Sequence, residues 1–187
     1  MTKTTPVNLA CQVNWPFNDV TFSLTQKSVL TGPSSAATGT TFTMSGANAP
    51  SVVPSDMNGT PISQLSDLVI TTQVKGQGTI TSVSLSGGSN LGPGKPSVTF
   101  SGNKEVLTVP GPLAAGTTVT LPTVSTKIKA TKKGTVTVVP YGSSYTDPGF
   151  TQTATIPDTS NPSNPPIVIG TGCYPTPVPV LGTVTIT

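Results

Sequence analysis

Histidine is absent from all 187 residues, and this narrows the available chemistry before any element is placed. A Ser-His-Asp triad needs an imidazole to take the proton from its nucleophile. A cysteine nucleophile needs the same base beside it. Lysine can replace histidine in a Ser-Lys pair, but a lysine on an exposed strand face is the simpler reading of the lysines here. Glycosidase chemistry requires two carboxylates that face each other across the scissile bond. The six acidic residues read as scattered among loops, and Asp147 in YTDPG and Asp158 in IPDTS read as turn formers. The expectation is a protein that is not an enzyme, with no catalytic residues and no cofactor.

The two cysteines, Cys11 and Cys173, lie near opposite ends of the chain. With two thiols, no imidazole and no acids at ligand spacing, no metal site is expected. A disulfide and a pair of buried thiols remain, and the secreted type of composition favours the disulfide. Such a bond would close a loop of roughly 160 residues and remove about 5 kcal/mol of unfolded-state freedom on the chain-entropy model. It would tie the closing segment TGCYPTPVPVLGTVTIT back to the first. The glycine stretches GQG (76–78) and GPG (92–94) lack the Lys-Ser/Thr that follows in a phosphate-binding loop, so they read as turns. Asn58-Gly59-Thr60 fits a glycosylation acceptor.

Aromatic side chains are the remaining candidates for contact with a sugar or lipid. These are Trp15 in NWPFND, Tyr141 and Tyr145 in PYGSSYTDPGF, and Tyr174 beside the second cysteine. Their competing role is to fill the core of a chain with few large side chains. All nine basic residues are lysine and the net charge is +3, with Lys127, Lys129, Lys132 and Lys133 the only grouping. Nucleic-acid binding would need a basic stripe with arginines or stacking platforms, so it is set aside. Charged residues make up 8% of the chain, against roughly 25% in ordinary soluble proteins. The surface must therefore be coated largely with hydroxyls. No apolar run reaches the 18 residues that suggest a transmembrane helix. The start MTKTTPVNLACQV has no signal-peptide regions, so a secreted protein would already have lost its signal.

The elements that must hold these residues follow from a period of two. Val20, Phe22 and Leu24 alternate with Thr21, Ser23 and Thr25; Phe42 pairs with Met44; Leu68, Ile70 and Val74 share a face. Further strands are expected around Val83 and Leu85, Val98 and Phe100, Leu107 and Val109, and Val119 and Leu121. Others follow around Val124, Ile128 and Ala130, with Lys127 and Lys129 facing water, then Val136 and Val138, and finally Val184 and Ile186. Short strands separated by Gly/Pro turns predict an all-β protein, an antiparallel immunoglobulin-like β-sandwich with its termini tied by a disulfide. One domain is expected over 1–187, loop-rich at 26–66 and with a mobile Pro-rich loop at 156–168. The prolines of YPTPVPVLG belong at an edge or a crossing between sheets, since proline cannot donate to a central ladder.

The segment VTLPTVSTKIKATKKGTVTV resembles part of many immunoglobulin-like bacterial modules. SVSLSGGSNLGPGKPSVTF, VLTVPGPLAAGTTVTLP, SSYTDPGFT and GCYPTPVPVLGTVTI together resemble a group of secreted actinobacterial proteins of mycobacterial and rhodococcal type. The resemblance covers about 66–187 and, through Cys11, the whole chain. It implies export to the cell envelope or medium and a β-sandwich fold, with no catalytic residues to carry over. The expected function is a secreted envelope or surface protein with a structural, adhesive or assembly role. The alternatives are a carrier holding a lipid or another apolar ligand between the sheets, and a carbohydrate-binding module. Envelope lipid, cell-wall polymer and a second copy of the chain are the expected partners.

Overall fold

Alternation between apolar and hydroxyl side chains is converted almost everywhere into β-structure. The computed structural model describes residues 1–14, 19–57, 59–161 and 163–187, and no helix occurs among them. The first strands are β1 (Thr2–Asn14), β2 (Asp19–Thr31), β3 (Ser35–Ala36), β4 (Thr41–Asn48), β5 (Ser51–Val52), β6 (Asp56–Met57) and β7 (Thr60–Pro61). The middle of the chain gives β8 (Gln64–Gly76), β9 (Gly78–Ser86), β10 (Ser97–Ser101), β11 (Lys104–Val109), β12 (Leu113–Ala114) and β13 (Thr118–Val119). The last are β14 (Thr123–Ala130), β15 (Gly134–Pro140), β16 (Phe150–Ile156), β17 (Ile167–Pro175) and β18 (Gly182–Ile186).

Pairing runs without a break in the order β3-β18-β15-β8-β16-β17-β1-β2-β4-β14-β9. All of these pairs are antiparallel except β18 with β3. The opposite edge of β8 carries β11 and β12, and β10 pairs with β11. Strands β9 and β10 then lie side by side without ladder bonds, so the pairing path folds over and nearly meets itself. The result is a sandwich around a single hydrophobic core to which both halves of the chain contribute.

Strand β8 is the hub, with β11 and β12 on one edge and β15 and β16 on the other. Its alternation is reset at Asp67, which has φ 50°, next to a register shift against β16. Leu65 and Leu68 both reach the core for this reason. At its far end the chain turns tightly through Gly76, with φ 89°. A Cβ there would lie 2.1 Å from the Thr135 carbonyl oxygen. Glycine is thus required both for the left-handed backbone and for the close approach.

The sequence reading assigned no strand to the first fourteen residues. Instead β1 is one of the three longest strands, and Val7, Leu9, Cys11 and Val13 are all buried. It pairs with β2 from Thr2↔Thr31 to Asn14↔Asp19. The region 26–66 holds the end of β2, all of β4 and four two-residue strands between connections. Of the YPTPVPVLG prolines, Pro175 still pairs with Leu9 at the end of β17, whereas Pro177 and Pro179 lie outside the ladder, with Val178 and Val180 exposed, before β18 joins β15.

Cys11 and Cys173 face each other across β1 and β17, with Cα atoms 4.1 Å apart, and are joined in a disulfide spanning 162 positions. Both are fully buried. Removing the bond in Cys11→Ala with Cys173→Ala should lower unfolding free energy by about 5 kcal/mol on the chain-entropy model. Denaturant titration would read this as an earlier midpoint; an unchanged midpoint would contradict it. Gly76→Ala should cost about 1–3 kcal/mol from backbone strain, measurable by the same titration.

Candidate functional site

On β2 the inward positions run Val20, Phe22, Leu24, Gln26, Ser28 and Leu30, yet only Leu30 is fully buried. The cause lies in the neighbouring strand. β4 pairs with β2 only from Ser28↔Asn48 to Thr31↔Ser45. A last backbone bond joins the Ala49 N–H to the Lys27 carbonyl, after which Pro50 has no N–H to offer. From Asp19 to Gln26, β2 therefore has β1 on one side and, among the described residues, no ladder partner on the other.

The gap is a groove of about 670 Å³. Phe22 and Leu24 of β2 line it together with Pro54, Met57 and the buried Leu68 and Leu121. Lys27, Asp56, Asn48 and Gln152 supply polar atoms around it. A smaller cavity of about 80 Å³ has the buried Val7, Leu9, Leu107 and Ile128 in its lining. The two spaces share Gln26, Asn48 and Phe150 in their walls.

Glu105 lines the inner cavity. It was counted in the sequence reading among acids scattered in loops, but it stands on β11, paired with Thr72 of β8. The local sequence carried the signal, because Glu105 shares its strand face with Leu107 and Val109, both buried. The Thr72 hydroxyl donates to Oε1 at 3.2 Å. The buried Thr126 hydroxyl of β14 donates to Oε2. Burial pushes the Glu105 carboxyl above the usual carboxylate range, and the two threonine hydrogen bonds oppose the shift without cancelling it.

A carboxyl whose folded pKa is raised stabilises the fold below its unfolded pKa, and that contribution is lost as pH rises through the folded value. The stability of the wild-type protein should thus fall relative to Glu105→Gln as pH climbs out of the ordinary carboxylate range. Melting temperatures of the two proteins across pH 4 to 8 would test this. Parallel curves would mean that Glu105 does not titrate as its burial requires.

The aromatic candidates separate into two places. Tyr141 borders the inner cavity. Its hydroxyl donates to Asp147 Oδ1 at 2.7 Å, and Lys104 Nζ lies 3.8 Å from its ring centre. Tyr145 and Tyr174 meet edge to face, with ring centres 5.1 Å apart and planes at 76°. All three are half-buried. The angle between Tyr145 and Tyr174 gives no flat surface of the kind a sugar ring stacks on. Trp15, the fourth candidate, lies outside the described residues, as does the glycosylation candidate Asn58.

The two aspartates read as turn formers organise loops. Asp147 also accepts from the Ser143 hydroxyl at 2.8 Å, and the Tyr141 and Ser143 bonds hold its carboxyl below the usual range. Asp158 accepts from the backbone and hydroxyl of Ser160, the backbone of Asn161 and the side chain of Asn164. These donors lower its pKa to about 2, led by the Ser160 hydroxyl and Asn164. The loop between β16 and β17 is thus shaped around one carboxylate. Ser101 and Lys104 have the S-x-x-K spacing of Ser-Lys hydrolases. It spans the β10–β11 hairpin turn, and Lys104 is turned toward Tyr141. No group of three or more His, Cys, Asp or Glu residues suited to a metal ion occurs among the described residues.

No protein-family model matches the sequence, and no curated protein matches it. Among solved structures the fold is similar to that of a Corynebacterium diphtheriae protein described as a "putative membrane anchored protein". That likeness has a TM-score of 0.59 at 19% identity, and it covers 100% of this chain and 38% of the other. The chain thus spans well under half the length of the protein it matches. The likeness establishes a shared fold with an actinobacterial protein.

Proposed function

We propose that this chain is a non-enzymatic domain displayed at the cell envelope, where it serves a structural, adhesive or assembly role. The observation that carries the reading is the buried disulfide between β1 and β17, a bond that persists in oxidising compartments outside the cytosol. A surface with few charges and many hydroxyls accords with it. So does the fold shared with a protein described as membrane anchored, which is that protein's description and comes to this chain only as support. No helix among the described residues is long and apolar enough to cross a membrane.

A second reading, in which the domain holds an apolar ligand, is favoured by the groove. Its volume of about 670 Å³ falls within the roughly 300–1,000 Å³ of small-molecule sites. A chain that only packed against neighbours would have no need for a gap beside Phe22 and Leu24.

The test of display is labelling of intact native-host cells with a membrane-impermeant lysine reagent, followed by mass measurement of the protein without reduction. Exposed lysines such as Lys127 and Lys129 should be modified, and the mass should show the disulfide intact. An unlabelled protein with two free thiols in the cytosolic fraction would overturn the reading.

A further inference from the structure

We propose that the groove and inner cavity together form a site for one amphiphile, with its aliphatic body in the groove and a hydrogen-bond-donating head, hydroxyl or ammonium, at Glu105. This inference rests on the second reading above. The division of labour follows from the two spaces. The apolar part of the groove wall, with Phe22, Leu24, Pro54 and Met57, suits methylene groups. The inner cavity of about 80 Å³ is too small for a long aliphatic chain. At roughly 10–15 Å³ per water-sized group, it does accommodate a head. Gln26, Asn48 and Phe150, common to both walls, mark where head and body would join.

Charge decides the kind of head. Burial and two threonine hydroxyls are the groups that act on Glu105, with no cation among them. Lys104, its neighbour in sequence, lies against the ring of Tyr141. A carboxylate offers about four lone-pair sites, and Thr72 and Thr126 fill two of them. The remaining acceptor capacity favours a donor, and an ammonium would in addition offset the charge of the ionised carboxyl. An anionic head would bring like charges together where water is scarce, which is strongly unfavourable.

The experiment compares dodecylamine, 1-dodecanol and dodecanoate, each below its aggregation concentration at neutral pH, by native mass spectrometry titration. The amine or the alcohol should bind one to one, and dodecanoate about tenfold more weakly or worse, as expected for loss of a hydrogen bond to a charged group. Binding by both donors would show that a hydroxyl suffices, whereas binding by the amine alone would assign an ammonium head. Glu105→Gln should reduce amine affinity about tenfold and narrow its lead over dodecanoate. Glu105→Asp, which keeps the charge, should retain that lead, a pattern that a purely structural role would not produce. Leu24→Asn, on the groove wall, should weaken every probe that binds. Dodecanoate binding as tightly as the donors, or amine affinity unchanged in Glu105→Gln, would overturn the head assignment and leave the groove as a ligand site. Failure of all three probes to bind the wild-type protein would overturn both.

Discussion

The covalent tie between Cys11 and Cys173 sets the frame on which the remaining strands depend. It joins β1 and β17, neighbours in the ladder, and so fixes two strands from opposite ends of the chain in one register. β2 attaches to the free edge of β1, and β16 attaches to the free edge of β17. Through β16 the ladder reaches the hub β8, and through β2 it reaches β4 and β14. Most of these contacts join residues far apart in sequence, which makes each pairing entropically expensive until the next is in place. A cross-link at the midpoint of the path removes much of that cost from the unfolded chain.

Much of this arrangement was legible in the residues. The alternation at Val124, Ile128 and Ala130 against Lys127 and Lys129 appears unchanged in β14, with the lysines exposed and the others buried. Val184 and Ile186 are buried in β18 in the same way. Two things obscured the rest. β1 carries its apolar residues among Thr, Pro, Asn and Gln, and its first half, TKTTP, looks like a tail until Thr5, Val7, Leu9 and Cys11 are read as one face. At β8 the bulge at Asp67 shifts the phase of the alternation, so no single period describes the strand.

The candidate site was harder to read, because it arises from pairings that do not form. Nothing local to Phe22 or Leu24 says that their strand lacks a second neighbour; that follows from β4 ending at Asn48 before Pro50. The aromatic residues drew the sequence argument toward Tyr141, Tyr145 and Tyr174, whose rings are half-buried and engaged with Asp147, Lys104 or each other. Glu105 escaped notice because a single acid in KEVLTV has no partner in sequence. Its partners, Thr72 and Thr126, come from β8 and β14, 33 and 21 positions away.

Among the described residues no cation acts on Glu105. A buried carboxylate with only neutral donors destabilises the fold when ionised, and a leucine or glutamine at the same place would pack without that penalty. Around it the core is otherwise apolar, and Thr126 is one of very few polar residues buried there. The groove shows the same kind of departure: Phe22 and Leu24 keep apolar surface next to solvent although residues of β5 and the β4–β5 connection lie close enough to line it. Each feature alone weakens the sandwich. Gln26, Asn48 and Phe150 line both spaces, so the two weaknesses adjoin, and a ligand with an apolar body and a donor head would relieve both.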